Sequence, residues 1–358
     1  MIPLLIHLFT TTVQALPPSA GTALRQGNCA NAVLELPNPT EWYEQLAIGR
    51  CYVSLGKIDA AELTLSDVSG EWAPMALLYR SQAASLGGDS YQALVLANRV
   101  LDTANISDAI RTQATLEKAR ALIATEQYID ARDFLRPLLT PKNTVDGYRP
   151  HQNEIAPAEV RWLLAEGARL RGSTAASIPV YWKIWTANPT STFSTLAEER
   201  LTTLGQRIPD STTDEGRKKM VQRANTLRKM QMHKEALELL DQLPVPETEL
   251  EKKTYAYYVF SAKDYTRAVS LLSALSNPTD KEIYHLAVAS VRSGDYDSSI
   301  AYYRQLLTEF PTSRWADIAS YKIAYSEYDR GNLKIALPLF REHIETSQQQ
   351  RFSNKERH

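Results

Sequence analysis

The clearest pattern of apolar and polar positions lies in the last third of the chain. Gly294-Asp295-Tyr296 reads as a turn running into a helix start, and Ser299, Tyr303 and Leu306 follow at helical spacing until Pro311 closes the run. The same order returns at Gly331-Asn332-Leu333, followed by Ala336 and Phe340. Aligning the chain on the small residue near the start of the second helix of each such unit gives the anchors Ala61, Ala93, Ala131, Ser177, Ala236, Ala268, Ser299 and Ala336. The positions twelve residues upstream play no part in that alignment, yet they hold Gly49, Ser81, Ala119, Ala165, Ala224, Ala256, Ala287 and Ala324. All are small. Two helices approach closely only where one offers a small residue at the crossing. Each unit is therefore predicted to be two antiparallel amphipathic helices joined by a short turn.

A small residue, an aromatic four positions later and a closing proline resemble the tetratricopeptide pattern, whose period is roughly 34 residues. The resemblance implies an all-α fold: an α-solenoid of tetratricopeptide-like antiparallel helix pairs wound into a right-handed superhelix. One pair cannot bury its apolar face alone, whereas stacked neighbours can. Two anchor spacings are longer than the rest, and the excess falls in 140–157 and 205–216, both rich in Pro, Gly, Asn, Asp and Thr. The expected organisation is a first helical block over 16–204, a linker loop over 205–216 and a second block over 217–346. A polar tail over 347–358 would lack the capping helix that normally ends a solenoid, as in a truncated array. Upstream of the first anchor, Gly27-Asn28-Cys29-Ala30-Asn31-Ala32 reads as the second helix of an incomplete unit.

Composition narrows the function classes. With 44% hydrophobic residues among 358, the chain can fill a continuous core and does not read as disordered. A formal net charge of −1 supplies no global basic field, so no nucleic-acid partner is expected.

The start of the chain reads as a targeting segment. Ile2 to Phe9 is an apolar run, and Val13-Gln14-Ala15 places small residues where a signal peptidase acts, although no basic residue precedes Arg25. A signal peptide over 1–15, export to the periplasm and no transmembrane span are expected, since the run is too short to cross a bilayer. No cysteine stands close to the cleavage point for a lipid anchor. In an oxidising compartment Cys29 and Cys51 are expected to bridge. They stand at comparable distances on either side of a turn near Asn38 to Thr40, so antiparallel helices bring them face to face.

Two segments carry a family resemblance. One is Glu309-Phe310-Pro311-Thr312-Ser313-Arg314-Trp315-Ala316-Asp317, continuing to Gly331-Asn332-Leu333. The other is Val180-Tyr181-Trp182-Lys183-Ile184-Trp185, with Asn188-Pro189-Thr190-Ser191 and Ala197-Glu198-Glu199-Arg200-Leu201 after it. Both resemble the helical N-terminal region of soluble lytic murein transglycosylases, periplasmic enzymes in which a superhelix precedes a lysozyme-like domain. That resemblance implies contact with peptidoglycan or the positioning of a catalytic domain. The family's catalytic Glu-Ser pair is missing, because no Glu-Ser dipeptide occurs, and the chain after residue 346 is too short for such a domain. Either the chain is a fragment of a longer protein, which could be a lytic transglycosylase, or it is a stand-alone scaffold. Activity is not carried over, and a stand-alone periplasmic adaptor for protein segments is the competing expectation.

Other candidate chemistry is thin. Asp146, His151 and Glu154 lie in the first long loop, where simple solvation accounts for them. His233 sits at a helix start, and His285 and His343 are isolated within helices. No Gly-rich phosphate loop, HExxH or G-x-S-x-G motif appears, so no catalytic residue, metal or cofactor is expected. The cluster Arg217-Lys218-Lys219 with Arg223, Arg228 and Lys229 reads as a solvated helix face, with an anionic partner as the sharper alternative.

A binding surface has to be sought on the first helices of the second block. The positions fifteen, eleven, eight and seven before the anchors give Lys253, Tyr257, Phe260 and Ser261, then Tyr284, Val288, Val291 and Arg292, then Tyr321, Tyr325, Tyr328 and Asp329. The tyrosines and Phe260 form a candidate aromatic ladder for sugar faces or peptides, with Lys253 and Arg292 available for carboxylates. The competing expectation is that these rings simply pack between units. The partner would be peptidoglycan or a periplasmic protein.

Overall fold

A computed structural model describes residues 16–139 and 157–355 of the chain, with side chains as far as Thr346 except that of Asp317. The expected signal peptide and the loop residues Asp146, His151 and Glu154 lie outside the described residues. Within them the fold is all-α, with no strand. It is built of consecutive antiparallel helix pairs and divides into two compact units, Met1–Ile208 and Pro209–His358.

Among the described residues the first unit holds five pairs and one further α-helix. They are α1 (Pro18–Arg25) with α2 (Cys29–Glu35), α3 (Trp42–Ser54) with α4 (Ile58–Ser66), α5 (Ala73–Leu86) with α6 (Ser90–Leu101), α7 (Asp108–Ala124) with α8 (Tyr128–Leu135), and α9 (Pro157–Leu170) with α10 (Thr174–Ala187). The lone α11 (Thr192–Thr203) follows. The second unit holds α12 (Asp214–Lys229) with α13 (His233–Leu240), α14 (Glu249–Ser261) with α15 (Tyr265–Ser273), α16 (Asp280–Arg292) with α17 (Tyr296–Glu309), and α18 (Ala316–Asp329) with α19 (Leu333–Lys355). The residues expected to form a polar tail are helical through Lys355.

The small residues sit at the helix crossings. Ser81, Ala119, Ala165, Ala224, Ala256, Ala287 and Ala324 are all 0% exposed, and every anchor is 2% exposed or less. Gly49 shows why nothing larger fits: a Cβ there would come within 2.4 Å of the Leu65 side chain. The unit expected to be incomplete is in fact a full, short pair. Ala20 and Ala32, again twelve apart and both 0% exposed, occupy its crossing. Its first helix has only eight residues, too few to give a clear periodic signal.

The turn inside each pair repeats with equal regularity. Five residues before each anchor the backbone is left-handed, at Gly27, Gly56, Gly88, Glu126, Gly172, Gln231, Lys263, Gly294 and Gly331. The next residue then returns its N–H to a carbonyl in the last turn of the first helix, from Asn28 to Ala23 through Asn332 to Glu327, at 2.7–3.2 Å. This is the left-handed C-terminal cap that satisfies the otherwise unpaired end carbonyls. The residue carrying that N–H often caps the second helix as well. The side chains of Asn28, Asp89, Asp264 and Asp295 each accept a main-chain N–H three residues on.

Two covalent or ionic ties reinforce the first unit. A Cys29–Cys51 disulfide joins α2 to α3, with Cα atoms 4.9 Å apart. Glu166 on α9 lies between the arginines of two elements: Arg200 of α11 donates to both its oxygens at 2.9 and 3.1 Å, and Arg169 does so at 3.2 and 2.8 Å. The Tyr181 hydroxyl of α10 completes the set. These contacts hold α11, which has no pairing helix of its own in the repeat, against α9 and α10. Burial opposes ionisation of Glu166, but the hydrogen bonds from Arg169 and Tyr181 and the two guanidinium charges bring its pKa below the ordinary carboxylate value.

Candidate functional site

The ladder residues fall into two environments, and the repeat explains why. Tyr257 and Phe260 on α14 turn toward α16, where both meet His285 at 5.5 and 4.5 Å between ring centroids. Tyr284 stacks on Trp315 at 4.3 Å, just before α18, and touches Tyr303 of α17 at 6.2 Å. These rings are half-buried because the following helix lies over them. Burial has chemical consequences. It lowers the His285 pKa to about 4, helped by the Lys281 charge, so the imidazole is neutral at pH 7. Burial also raises the hydroxyl pKa of Tyr284.

Cations line the same rings. The Lys281 ammonium lies 4.6 Å and the Arg228 guanidinium 5.5 Å from the Tyr257 ring centre, and Arg314 lies 4.5 Å from Trp315. Lys253 is engaged within the fold: its ammonium donates to the Asn277 carbonyl at 2.5 Å and pairs with Glu282 at 3.6 Å. Burial opposes ionisation of Glu282 too, and hydrogen bonds from Thr279 with the Lys253 charge bring its pKa below the usual value. Arg292, by contrast, is exposed at the end of α16.

Tyr321, Tyr325 and Tyr328 form the second environment. They are exposed by 39%, 42% and 53%, along one stripe of α18, with neighbouring ring centres 6.0 and 6.1 Å apart. The exposed apolar surface continues onto α19, beyond the expected ladder. Leu333, Leu337 and Ile344 are exposed by 60%, 54% and 52%, and with Phe340 they fall on one face at helical spacing. Tyr321 joins the two helices through Phe340, 5.7 Å away, and His343, 5.8 Å away. His343 is in turn anchored to Ser320 at 2.8 Å. The signal was present in the sequence as Leu333, Leu337, Phe340 and Ile344, but core helices carry the same spacing, so only exposure distinguishes them.

The remaining candidates do not assemble a reaction centre. Among the described residues no three His, Cys, Asp or Glu side chains converge as metal ligands. A small pocket between α8 and α9, lined by Ala131, Leu135, Leu163 and Leu164 with Arg132 and Arg171, contains no carboxylate, histidine or thiol. In the basic cluster, Arg217 holds the Ser211 and Thr212 carbonyls at 3.2 and 3.1 Å and pairs with Asp214, while Lys219 pairs with Glu215 at 3.2 Å. His233 contacts Gln231 at 3.2 Å at the start of α13. Among the described residues no helix is long and apolar enough to cross a membrane.

Residues 276–353 match the family described as "YfiO: Outer membrane lipoprotein". The match begins just before α16 and includes the exposed face of α18 and α19. No curated protein matches the chain. The solved structures that match include two at low identity. A tetratricopeptide repeat protein from Parabacteroides merdae ATCC 43184 aligns at 10% identity and TM-score 0.32, over 80% of this chain and 98% of its own. The tetratricopeptide domain of P58(IPK) aligns at 14% identity and TM-score 0.27, over 87% of this chain and 88% of its own. The helix-pair architecture stands on the repeated crossings and turns of the chain itself.

Proposed function

We propose that the chain is a protein-binding scaffold of the bacterial envelope, working in the periplasm, with its binding surface on α18 and α19. The observation that carries this reading is the exposed run of Tyr321, Tyr325 and Tyr328 beside Leu333 and Leu337. Isolated exposed apolar residues are ordinary on a protein surface, but an adjoining aromatic and aliphatic group marks an interaction site. Tyrosine provides large contact area at small entropic loss, and a preformed helical face lowers the ordering cost further. The envelope assignment draws on the outer-membrane lipoprotein match over 276–353 and on the apolar leader at Ile2 to Phe9.

A second reading makes the chain a scaffold touching peptidoglycan, as the resemblance to lytic transglycosylases implied. One of the segments behind that resemblance, 309–333, lies inside the stretch matching the outer-membrane lipoprotein family. That overlap favours the protein-binding reading. Pull-downs on purified peptidoglycan and on periplasmic extract, with Tyr257, Tyr284, Tyr321 and Tyr325 changed to alanine singly and together, separate the two. Loss of a protein partner on changing Tyr321 and Tyr325 supports the proposal. Retention only on peptidoglycan, or unchanged capture by the folded variants, contradicts it.

A further inference from the structure

We infer that the α18–α19 face receives an amphipathic α-helix from the protein partner, docked as α18 docks on α17; this rests on the protein-binding reading above. The repeat itself shows what covers such a face. In the alignment on Ser299 and Ala336, Leu337 stands where Ile300 stands one unit earlier, Phe340 stands at Tyr303, His343 at Leu306 and Ile344 at Leu307. Ile300, Tyr303 and Leu306 are 5%, 1% and 0% exposed, because Ala316, Ala319 and Ile323 of α18 pack on them. Leu337 is 54% exposed at the position of Ile300, and Ile344 is 52% exposed at that of the partly buried Leu307. The stripe on α18 tells the same story: Tyr321 occupies the position of Tyr284, which is half-covered by Trp315.

The geometry specifies the occupant. A helix seated there needs small residues at the crossing, an aliphatic residue one turn beyond, and an aromatic at its start to stack on Tyr321. Trp315, Ala316, Ala319 and Ile323 supply that set one unit earlier. A helix also satisfies its own main-chain groups, whereas an extended segment would find no backbone partners on a face made of helix side chains. Self-pairing of two such faces is disfavoured because Tyr321, Tyr325, Leu337 and Phe340 offer no small residue for close approach.

The probe is a stapled, fluorescein-labelled peptide carrying residues 312–330 of this chain, titrated into the 358-residue protein and read by anisotropy. Saturable binding is expected. It should weaken by about tenfold or more with Leu337→Asp in the protein or with Ala319→Leu in the peptide. Leu337 is exposed, so the variant should keep its helical circular dichroism and melting, which serves as the folding control. Absence of saturable binding, or binding indifferent to both changes, overturns the inference. So does sedimentation showing a dimer that Leu337→Asp converts to monomer, since the face would then belong to a second copy. If the peptide fails while the pull-down on Tyr321 and Tyr325 succeeds, the scaffold reading stands and only the helical form of the partner is lost.

Discussion

Ser81 donates its hydroxyl to the main-chain carbonyl of Ala93 at 2.9 Å, across the crossing of α5 and α6. The two residues hold the small positions of their pair, and both are 0% exposed. Contact this close leaves no room for a larger side chain on either helix. Ser81→Ala should cost about 1 kcal/mol for the lost hydrogen bond. Ala287→Leu and Ala324→Leu should cost about 1–3 kcal/mol through overpacking. Urea unfolding followed by circular dichroism measures both, and unchanged midpoints for the leucine variants would show that the crossings are looser than described.

The repeated left-handed turn gives a prediction of opposite sign. Glu126, Gln231 and Lys263 adopt φ of 63°, 64° and 65°, where the other pairs use glycine. A side chain in that conformation is strained by roughly 1 kcal/mol. Each of these residues changed to glycine should raise stability by up to about 1 kcal/mol, whereas Gly294→Ala and Gly331→Ala should lower it by a similar amount. The glycine substitutions also loosen the unfolded chain, which offsets part of the gain.

The helix crossings were legible in the sequence because sterics admit only Gly, Ala or Ser there, and Ser81, Ala256 and Ala324 display that choice directly. The turns were only half legible. Gly56 and Gly294 announce them, but Glu126, Gln231 and Lys263 adopt the same backbone under side chains that suggest nothing of it. The Glu166 cluster was hidden because its partner Arg200 is distant in sequence, and no local pattern links a helix to the arginine that reaches back to it. The ladder was legible as a set of positions but not as an environment. Tyr257 and Tyr284 share their stripe with Tyr325 and Tyr321, and whether a helix lies over each depends on tertiary stacking.

Glu166 should set part of the acid stability of the first unit. Its pKa is lowered on folding, so it adds stability above the unfolded carboxylate value, and that stability disappears as pH falls through the folded value. Glu166→Gln should destabilise the protein at pH 7 and flatten the loss of stability below about pH 4.3, the ordinary glutamate value. Removing one partner of a buried pair costs about 3 kcal/mol. Thermal melts of both proteins at a series of pH values check the magnitude and the sign.

His285 predicts a second, separate acid response. Its pKa is lowered to about 4 by burial against Phe260 and Tyr257, with Lys281 beside it. A neutral ring buried this way favours the folded state above the free histidine pKa of about 6.5, and that advantage is lost as pH falls toward 4. His285→Phe should therefore reduce the pH dependence of stability between those values. Equal slopes for the two proteins would place the imidazole in a more open environment.

Reduction of the Cys29–Cys51 bridge should release the first two pairs before the rest of the first unit. A single disulfide typically contributes about 2–4 kcal/mol. Hydrogen exchange in α1–α4 should accelerate in reductant, with α5–α10 little changed, because each pair of a repeat array contacts mainly its neighbours. Uniform acceleration along the unit would mean that the bridge supports more than its own end.

Site-specific photocrosslinking in cells tests the binding surface most directly. A benzophenone side chain placed at position 325 or 337, within the exposed aromatic and aliphatic face, should capture a discrete protein partner. The same group at Val245, 85% exposed in the loop between α13 and α14, should not. Protease-sensitive adducts at 325 and 337 that disappear with Tyr321→Asp are the predicted result. Equal labelling at all three sites, or adducts at 325 and 337 that only a muramidase removes, would contradict the assignment of this face to a protein partner.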